Sequence, residues 1–152
     1  MNGLEQVNQF LSVTGSEFVQ RVHELQSYLQ SFPEGDKVDP PVNHYFGHKT
    51  YVREMLAPAG TIIVGKTHRY NHTCIVLQGK ALVYSETGSF EIQAPFTFSC
   101  EAGAKRLFVV LEDLIFQTVH YTESTDLAVI EQEIIVPDDE VNQFRKDQNL
   151  EV

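Results

Sequence analysis

The chain has 152 residues, of which 42% are hydrophobic and 21% charged, and its formal net charge is −10 at neutral pH. This length and composition are typical of one globular domain with its own core. The negative charge argues against binding to a nucleic-acid polymer or an acidic membrane. No apolar run reaches the roughly 18 residues of a membrane-spanning helix. The opening MNGLEQVNQF has no basic stretch before an apolar one, so we expect no secretory signal and a cytoplasmic location.

Cys74 and Cys100 each lie inside apolar, strand-like sequence and do not form a CxxC motif, which predicts buried free thiols in a reducing compartment. The charge is unevenly distributed. Between His48 and Arg106 there are seven Lys/Arg against four acids, a net of +3 that leaves −13 for the two ends. Two explanations stay open: acid-rich terminal helices, or a cationic site held in the middle of the chain.

The N-terminal part of the chain has a helical pattern. Thr14 and Glu17 have the spacing of a capping box. Apolar residues then recur at helical intervals, at Phe18, Val22, Leu25 and Leu29. The segment PEGDKVDPP, residues 33–41, ends this helix and forms a linker. A shorter helix is predicted before Thr14.

From about residue 44 to 122 the sequence predicts strands. Short runs rich in Val, Ile, Phe and Tyr are separated by Gly, Pro or charged pairs, with turns expected at Gly79 and at Glu112–Asp113. About eight such runs without intervening helices predict a small antiparallel jelly roll. After Thr122 the helical pattern returns, with Asp126 in a first turn and Pro137 as the end. We therefore expect a helical N-terminal extension (1–38), a jelly-roll domain (39–122) and a helical C-terminal tail (123–152).

Two spaced motifs lie in the predicted β domain. The first is Gly60, five residues, Lys66-x-His68, three residues, His72, six residues and Gly79. Its two histidines stand four positions apart, just before and at the start of an apolar run.

The second motif has a different set of residues. It is Pro95, five residues, Glu101-x-Gly103, two residues, Arg106, three residues and Val110.

In every interval these motifs resemble the two motifs of the cupin superfamily, RmlC-like jelly rolls that hold a metal ion on histidines and a carboxylate. The resemblance places Lys66 at the first ligand histidine, His72 at the ligand glutamate and Arg106 at the ligand histidine of the second motif. The fuller pattern also resembles small uncharacterised cupins of bacteriophage genomes, which implies the host cytoplasm as the location.

The altered ligand set leaves the metal question open. A divalent cation needs lone pairs, and neither Lys66 nor Arg106 supplies one. His120 could complete a three-histidine site with His68 and His72 for Zn, Mn, Fe or Ni, but strand parity alone does not show whether it faces the interior. A hydrogen-bonded or surface histidine is the alternative, so no cofactor is assigned firmly.

The same residues are suited to an anion. Lysine, arginine and imidazole in an apolar barrel would bind phosphate, carboxylate or an enolate. Tyr51 and Arg53 share one face of their strand, and an inward Arg53 would add to this site. The predicted ligand-binding residues are therefore Lys66, His68, His72, Arg106, Arg53 and Tyr51. In the alternative, Lys66 and Arg106 form salt bridges at the barrel mouth with acids such as Glu54 or Glu101.

Three functions follow from these patterns. The first is a cupin with an altered metal site that binds a small anionic ligand, phosphorylated or nucleotide-like. The second is a metal-dependent cupin enzyme, an isomerase or dioxygenase, using His68, His72 and His120. The third is a phage structural or assembly module. Because an isolated domain of this kind exposes sheet edges, we also expect a homodimer.

Overall fold

The computed structural model describes residues 3–33 and 39–150. Helices α1 (Gly3–Phe10) and α2 (Gly15–Gln30) come first. The strands are β1 Val42–Gly47, β2 Thr50–Ala57, β3 Ile62–Val64, β4 Thr67–His68, β5 His72–Ser85, β6 Gly88–Gln93, β7 Phe96–Cys100, β8 Leu107–Tyr121 and β9 Ile135–Val136. The C-terminal part adds α3 (Leu127–Ile134), a short 3-10 helix (Asp138–Glu140) and α4 (Val141–Asp147). None of the helices within the described ranges is long and apolar enough to cross a membrane.

The strands form an antiparallel jelly roll with helical ends, as the sequence predicts. The main sheet has the order β1-β2-β8-β5-β6, with β3 paired to β8 and β7 paired to β5. The long strand β5 pairs with β7 along its first part and with β6 along its second. Strand β8 likewise pairs with β3 near its start and with β2 further on. Sharing these two long strands joins the seven strands into one sheet, and the largest buried cluster, which includes Met55, Val76 and Phe116, packs against it.

Two predicted turns are instead bends inside long strands, so both turn predictions are wrong. Gly79 lies within β5 and Glu112–Asp113 within β8. The pairing of the two strands shifts register between Val76 and Gln78 and again between Gln78 and Lys80. A β-bulge uses the same glycine and polar residues as a turn but continues the strand, which explains the error.

Helix α2 covers the outer face of the sheet, where Phe18 and Val22 are buried with Tyr84 and Leu107. Its N-terminus differs from the prediction. The backbone of Thr14 is extended as in an N-cap, but its side chain makes no capping hydrogen bond. Glu17 pairs with Arg21 at 2.8 Å instead of completing a capping box. Residues 34–38 of the predicted linker, and with them the predicted boundary at residue 38, lie outside the described residues.

The C-terminal segment returns to the jelly roll. The predicted helix forms as α3, but Asp126 is its N-cap and does not lie in its first turn. Its Oδ1 accepts hydrogen bonds from the backbone N–H of Ala128 at 2.9 Å and of Val129 at 3.4 Å. Strand β9 then pairs with β4, which places Ile135 opposite His68. Helix α3 is thereby held across one end of the sheet, where Ile130 and Ile134 pack against Tyr51.

A buried ion pair attaches α4 to the sheet. Arg145 is 1% exposed, and it donates to both carboxylate oxygens of Glu86 at 2.7 Å and to the Gly103 carbonyl at 2.8 Å. We expect Arg145→Met to lower the free energy of unfolding by about 3 kcal/mol, because it leaves a largely buried carboxylate without its cation. Urea unfolding measures the change.

Two variants serve as controls for that experiment. Arg21→Met breaks the exposed Glu17–Arg21 pair and should cost less than about 1 kcal/mol. The double variant Arg145→Met, Glu86→Met removes both charges and should recover part of the loss. A loss in Arg145→Met no larger than that in Arg21→Met would contradict the prediction.

Candidate functional site

A cavity of about 310 Å³ lies between the sheet and α3. Its walls are mainly apolar, with Met55, Phe108 and Phe116 contributed by the strands and Leu127 and Ile130 by the helix. Every residue that the sequence singles out for ligand or metal binding lines this cavity: Tyr51, Arg53, Lys66, His68, His72, Arg106 and His120.

Three histidines meet on one wall of the cavity. His68 comes from β4, His72 from the start of β5 and His120 from the end of β8. Because Thr73 pairs with Val119 on the neighbouring strand, His72 and His120 stand side by side. The ring centroids are 4.1 Å apart for His68 and His72, 4.9 Å for His72 and His120, and 5.3 Å for His68 and His120. His120 thus faces the interior.

One ring nitrogen from each histidine lies within 4.8 Å of the other two, an arrangement that could hold a metal ion. The rings are oriented by their neighbours. The N–H at Nδ1 of His72 points to the Tyr70 carbonyl at 3.5 Å, which leaves Nε2 free to coordinate. His120 is 7% exposed, and its Nε2 shares a hydrogen bond of 2.8 Å with Thr118 Oγ1. Such partners fix the orientation of metal-ligating imidazoles.

The histidines are uncharged near neutral pH. Burial, with smaller effects from the neighbouring His72 and His120, lowers the pKa of His68 to about 3. Burial, with smaller effects from His72 and Arg53, lowers the pKa of His120 to about 4. The pKa of His72 is also lowered, mainly by burial. Neutral imidazoles keep the lone pairs that a metal ion requires, so the donor set fits a divalent cation.

Arg106 carries a charge that no group in the described structure neutralises. Its guanidinium lies over the rings of Phe90 and Phe98, with centroid distances of 5.7 and 5.5 Å. Its Nε and Nη1 are buried and have no hydrogen-bond partner among the described residues. The expected alternative, a salt bridge from Arg106 to an acid, is therefore not formed there. Two buried guanidinium nitrogens without an acceptor are costly, which favours a bound anion.

Lys66 lies at the mouth of the cavity. Its side chain is 62% exposed, and its ammonium group pairs with Glu131 of α3. The alternative of a salt bridge at the barrel mouth thus holds for Lys66, but Glu131 is the partner instead of Glu54 or Glu101. Because Lys66 is exposed and already paired, it would interact more weakly than Arg106 with a ligand inside the cavity.

Tyr51 and Arg53 both line the cavity, as their shared strand face predicts. The Tyr51 hydroxyl shares a hydrogen bond of 2.7 Å with His44 Nδ1, and its ring stacks on His120. His44 is part of β1. Arg53 forms no ion pair with the described residues. Its charge contributes to lowering the pKa of His68 and His120, so it lies near the histidines.

The two cysteines are buried free thiols that line the same cavity, which confirms the predicted burial. The two thiols share a hydrogen bond. This bond is the main reason why the pKa of Cys100 is lowered to about 7 and the pKa of Cys74 is raised. Both lie beside the histidines, since Cys100 pairs with His72 across β7 and β5.

Among the polar side chains that bond to the predicted site residues, Thr118 and Glu131 are absent from the sequence prediction. Thr118 stands two positions before His120, so strand periodicity does indicate that it shares the same face. Glu131 has no such signal, because its place beside Lys66 depends on how α3 packs across the sheet.

No family model matches the chain, and no curated protein matches it. Solved structures similar to it include a cupin-2 domain protein from Shewanella frigidimarina, with 10% identity over 64% of this chain and 92% of that one and a TM-score of 0.46. An RmlC-like cupin with a double-stranded β-helix fold from Methanocaldococcus jannaschii is 14% identical over 60% of this chain and 86% of that one, with a TM-score of 0.47. A cupin protein from Bacteroides fragilis is 14% identical over 63% of this chain and 88% of that one, with a TM-score of 0.47.

Proposed function

We propose that the protein binds a small anionic molecule in its cavity, together with a divalent metal ion held by His68, His72 and His120. One observation carries the proposal: three neutral imidazoles converge in a cavity that also contains the unpartnered guanidinium of Arg106. The histidines suit a cation and the arginine suits an anion. The two ligands would bind in one space.

Three protein ligands are typical of a metal site that keeps a position open for a small molecule. In such a site the ion supplies Lewis-acid polarisation of a bound oxygen. The three imidazoles contribute no negative charge, and Arg53 and Arg106 add positive charge nearby. An anionic ligand compensates both, so binding of the metal and of the anion should strengthen each other.

A metal-dependent enzyme of cupin type, an isomerase or dioxygenase, is the second candidate function. It uses the same three histidines, and the open coordination position supports it. The third candidate, an assembly module, would have a filled barrel with Lys66 and Arg106 directed to solvent. The cavity and the placement of Arg106 in its wall give that candidate no support. The homodimer, the bacteriophage relationship and the cytoplasmic location stay predictions from the sequence.

The metal site is tested by elemental analysis of the tag-free protein and by titration of the chelator-treated protein with Zn²⁺, Mn²⁺ or Ni²⁺. We expect binding of one ion per chain, and His68→Ala should weaken it at least about 100-fold because one of three ligands is lost. Folding of each variant is checked by circular dichroism.

His44→Ala is the matched control, since His44 also lines the cavity but lies outside the histidine cluster. It should bind the metal as the parent protein does. The metal site is refuted if the parent protein binds no more than trace metal. It is also refuted if His68→Ala binds the metal ion as tightly as the parent protein does.

A further inference from the structure

We infer that the anionic ligand is a small dicarboxylate that lies beside the histidine cluster, with one carboxylate bound by Arg106 and the other by Arg53. This inference rests on the proposed function and specifies the class of its ligand. It depends on the positions of the two guanidinium groups and on the charge around them.

The strand register places the two arginines at opposite ends of one row of side chains. Arg53 on β2 pairs with Thr118 on β8, Thr118 with Cys74 on β5, and Cys74 with Phe98 on β7. The guanidinium of Arg106 lies over the Phe98 ring, 5.5 Å from its centroid. Neighbouring strands are about 4.8 Å apart, so the row spans about 14 Å of backbone, which the inward-reaching side chains shorten.

The histidines occupy the adjacent row. Tyr51 pairs with His120, and the β5–β8 register sets His72 next to it, with Cys100 beyond. This row is two residues along from the row of Arg53 and Phe98, on the same face of the sheet. A ligand that reaches from one guanidinium to the other therefore passes over Thr118 and Cys74, directly beside the histidine cluster.

The charge around the cavity matches two carboxylates. Three cationic side chains line it, Arg53, Lys66 and Arg106, and among the described lining residues Glu131 is the one acid. Glu131 already pairs with Lys66. Arg53 is exposed and Arg106 is half-buried, and neither has a counter-ion within the described structure. Two separated carboxylates would pair with both.

Size and geometry favour a dicarboxylate over a phosphorylated or nucleotide-like ligand. The cavity volume of about 310 Å³ lies at the low end of the range of about 300–1,000 Å³ for ligand pockets. A guanidinium binds a planar carboxylate through two parallel hydrogen bonds. One phosphate group would engage one end of the row and leave the other guanidinium unpaired.

The experiment is calorimetric titration of the zinc-loaded protein with succinate, glutarate and adipate and with the matched monoamides succinamate, glutaramate and adipamate. At least one dicarboxylate should bind about tenfold or more tightly than its own monoamide, because the second charge-assisted contact is lost in the amide. Arg53→Gln and Arg106→Gln should each reduce the affinity for that dicarboxylate to the level of the monoamide.

Lys49→Gln is the control variant, since Lys49 is exposed, pairs with Glu123 and does not line the cavity. Its affinity for the dicarboxylate should equal that of the parent protein. Equal affinities for the diacids and their monoamides would overturn the inference, as would tighter binding of inorganic phosphate or a nucleotide. Both of these results leave the proposed anion site in place. Zinc binding without binding of any of these anions would overturn the inference and the anion site together.

Discussion

The chelator-treated, metal-free protein should lose stability as the pH falls from about 7.5 to 5, because its buried histidines bind protons more readily in the unfolded chain. The pKa of His68 is about 3 in the folded protein, against the ordinary 6.5. Its contribution is therefore fully present above pH 6.5 and declines as the pH falls towards 3. At pH 5 the loss from His68 is about 2 kcal/mol. His120 acts in the same direction, since burial lowers its pKa to about 4.

Urea unfolding at about pH 7.5 and about pH 5 measures this loss. The variants His68→Gln and His120→Gln should each show a smaller loss than the parent protein, and His48→Gln, at an exposed position outside the cavity, should show the same loss as the parent. A bound metal ion should reduce the effect, because it competes with protons for the imidazoles. If all three variants lose as much stability as the parent protein, the histidine cluster is not the cause.

Gly79→Ala should lower the free energy of unfolding by about 4 kcal/mol, the largest effect that we expect of a single substitution. Gly79 has φ of +86°, which is unfavourable for other residues. A Cβ atom at this position would lie 2.1 Å from the backbone oxygen of Asp113. That oxygen belongs to β8, so relief of the clash requires the two central strands to separate at their bend.

Gly60→Ala separates the two causes. Gly60 has nearly the same backbone angle, φ of +88°, but a Cβ atom there would meet nothing within 4 Å. Its substitution should cost only the backbone term, about 1 kcal/mol. Urea unfolding measures the loss of stability in each variant, and the difference between the two losses is the free-energy cost of the clash. Equal losses would show that Asp113 moves away freely and that the bend between β5 and β8 is not tightly packed.

Local pattern was enough to predict much of the site. Alternation along a strand correctly placed Tyr51 and Arg53 on one face, and the spacing of His68 and His72 correctly brought two imidazoles together. The first feature depends on a period of two residues, which is a property of the extended backbone itself. The second depends on the motif spacing, since His68 and His72 lie on the separate strands β4 and β5. For the same reason Thr118 is predictable once His120 is known to face the interior.

Other features depend on distant parts of the chain. Gly79 and Glu112–Asp113 have the composition of turns, and only the pairing of β5 with β8 makes them bends in continuous strands. Lys66 is placed at the motif position of a metal ligand, yet Glu131, 65 residues later in the chain, holds it at the cavity mouth. No local pattern specifies such a pairing.

By itself, the sequence determined the class of the fold, the helical ends and the identity of the polar residues available to a site, because hydrophobic periodicity and motif spacing are local. Only the tertiary structure decided that His120 turns inward to complete the histidine cluster. It also decided that Arg106 has no counter-ion among the described residues and that Arg53 lines the same cavity. These outcomes depend on strand register and on the packing of α3, which bring together residues that are far apart in the chain.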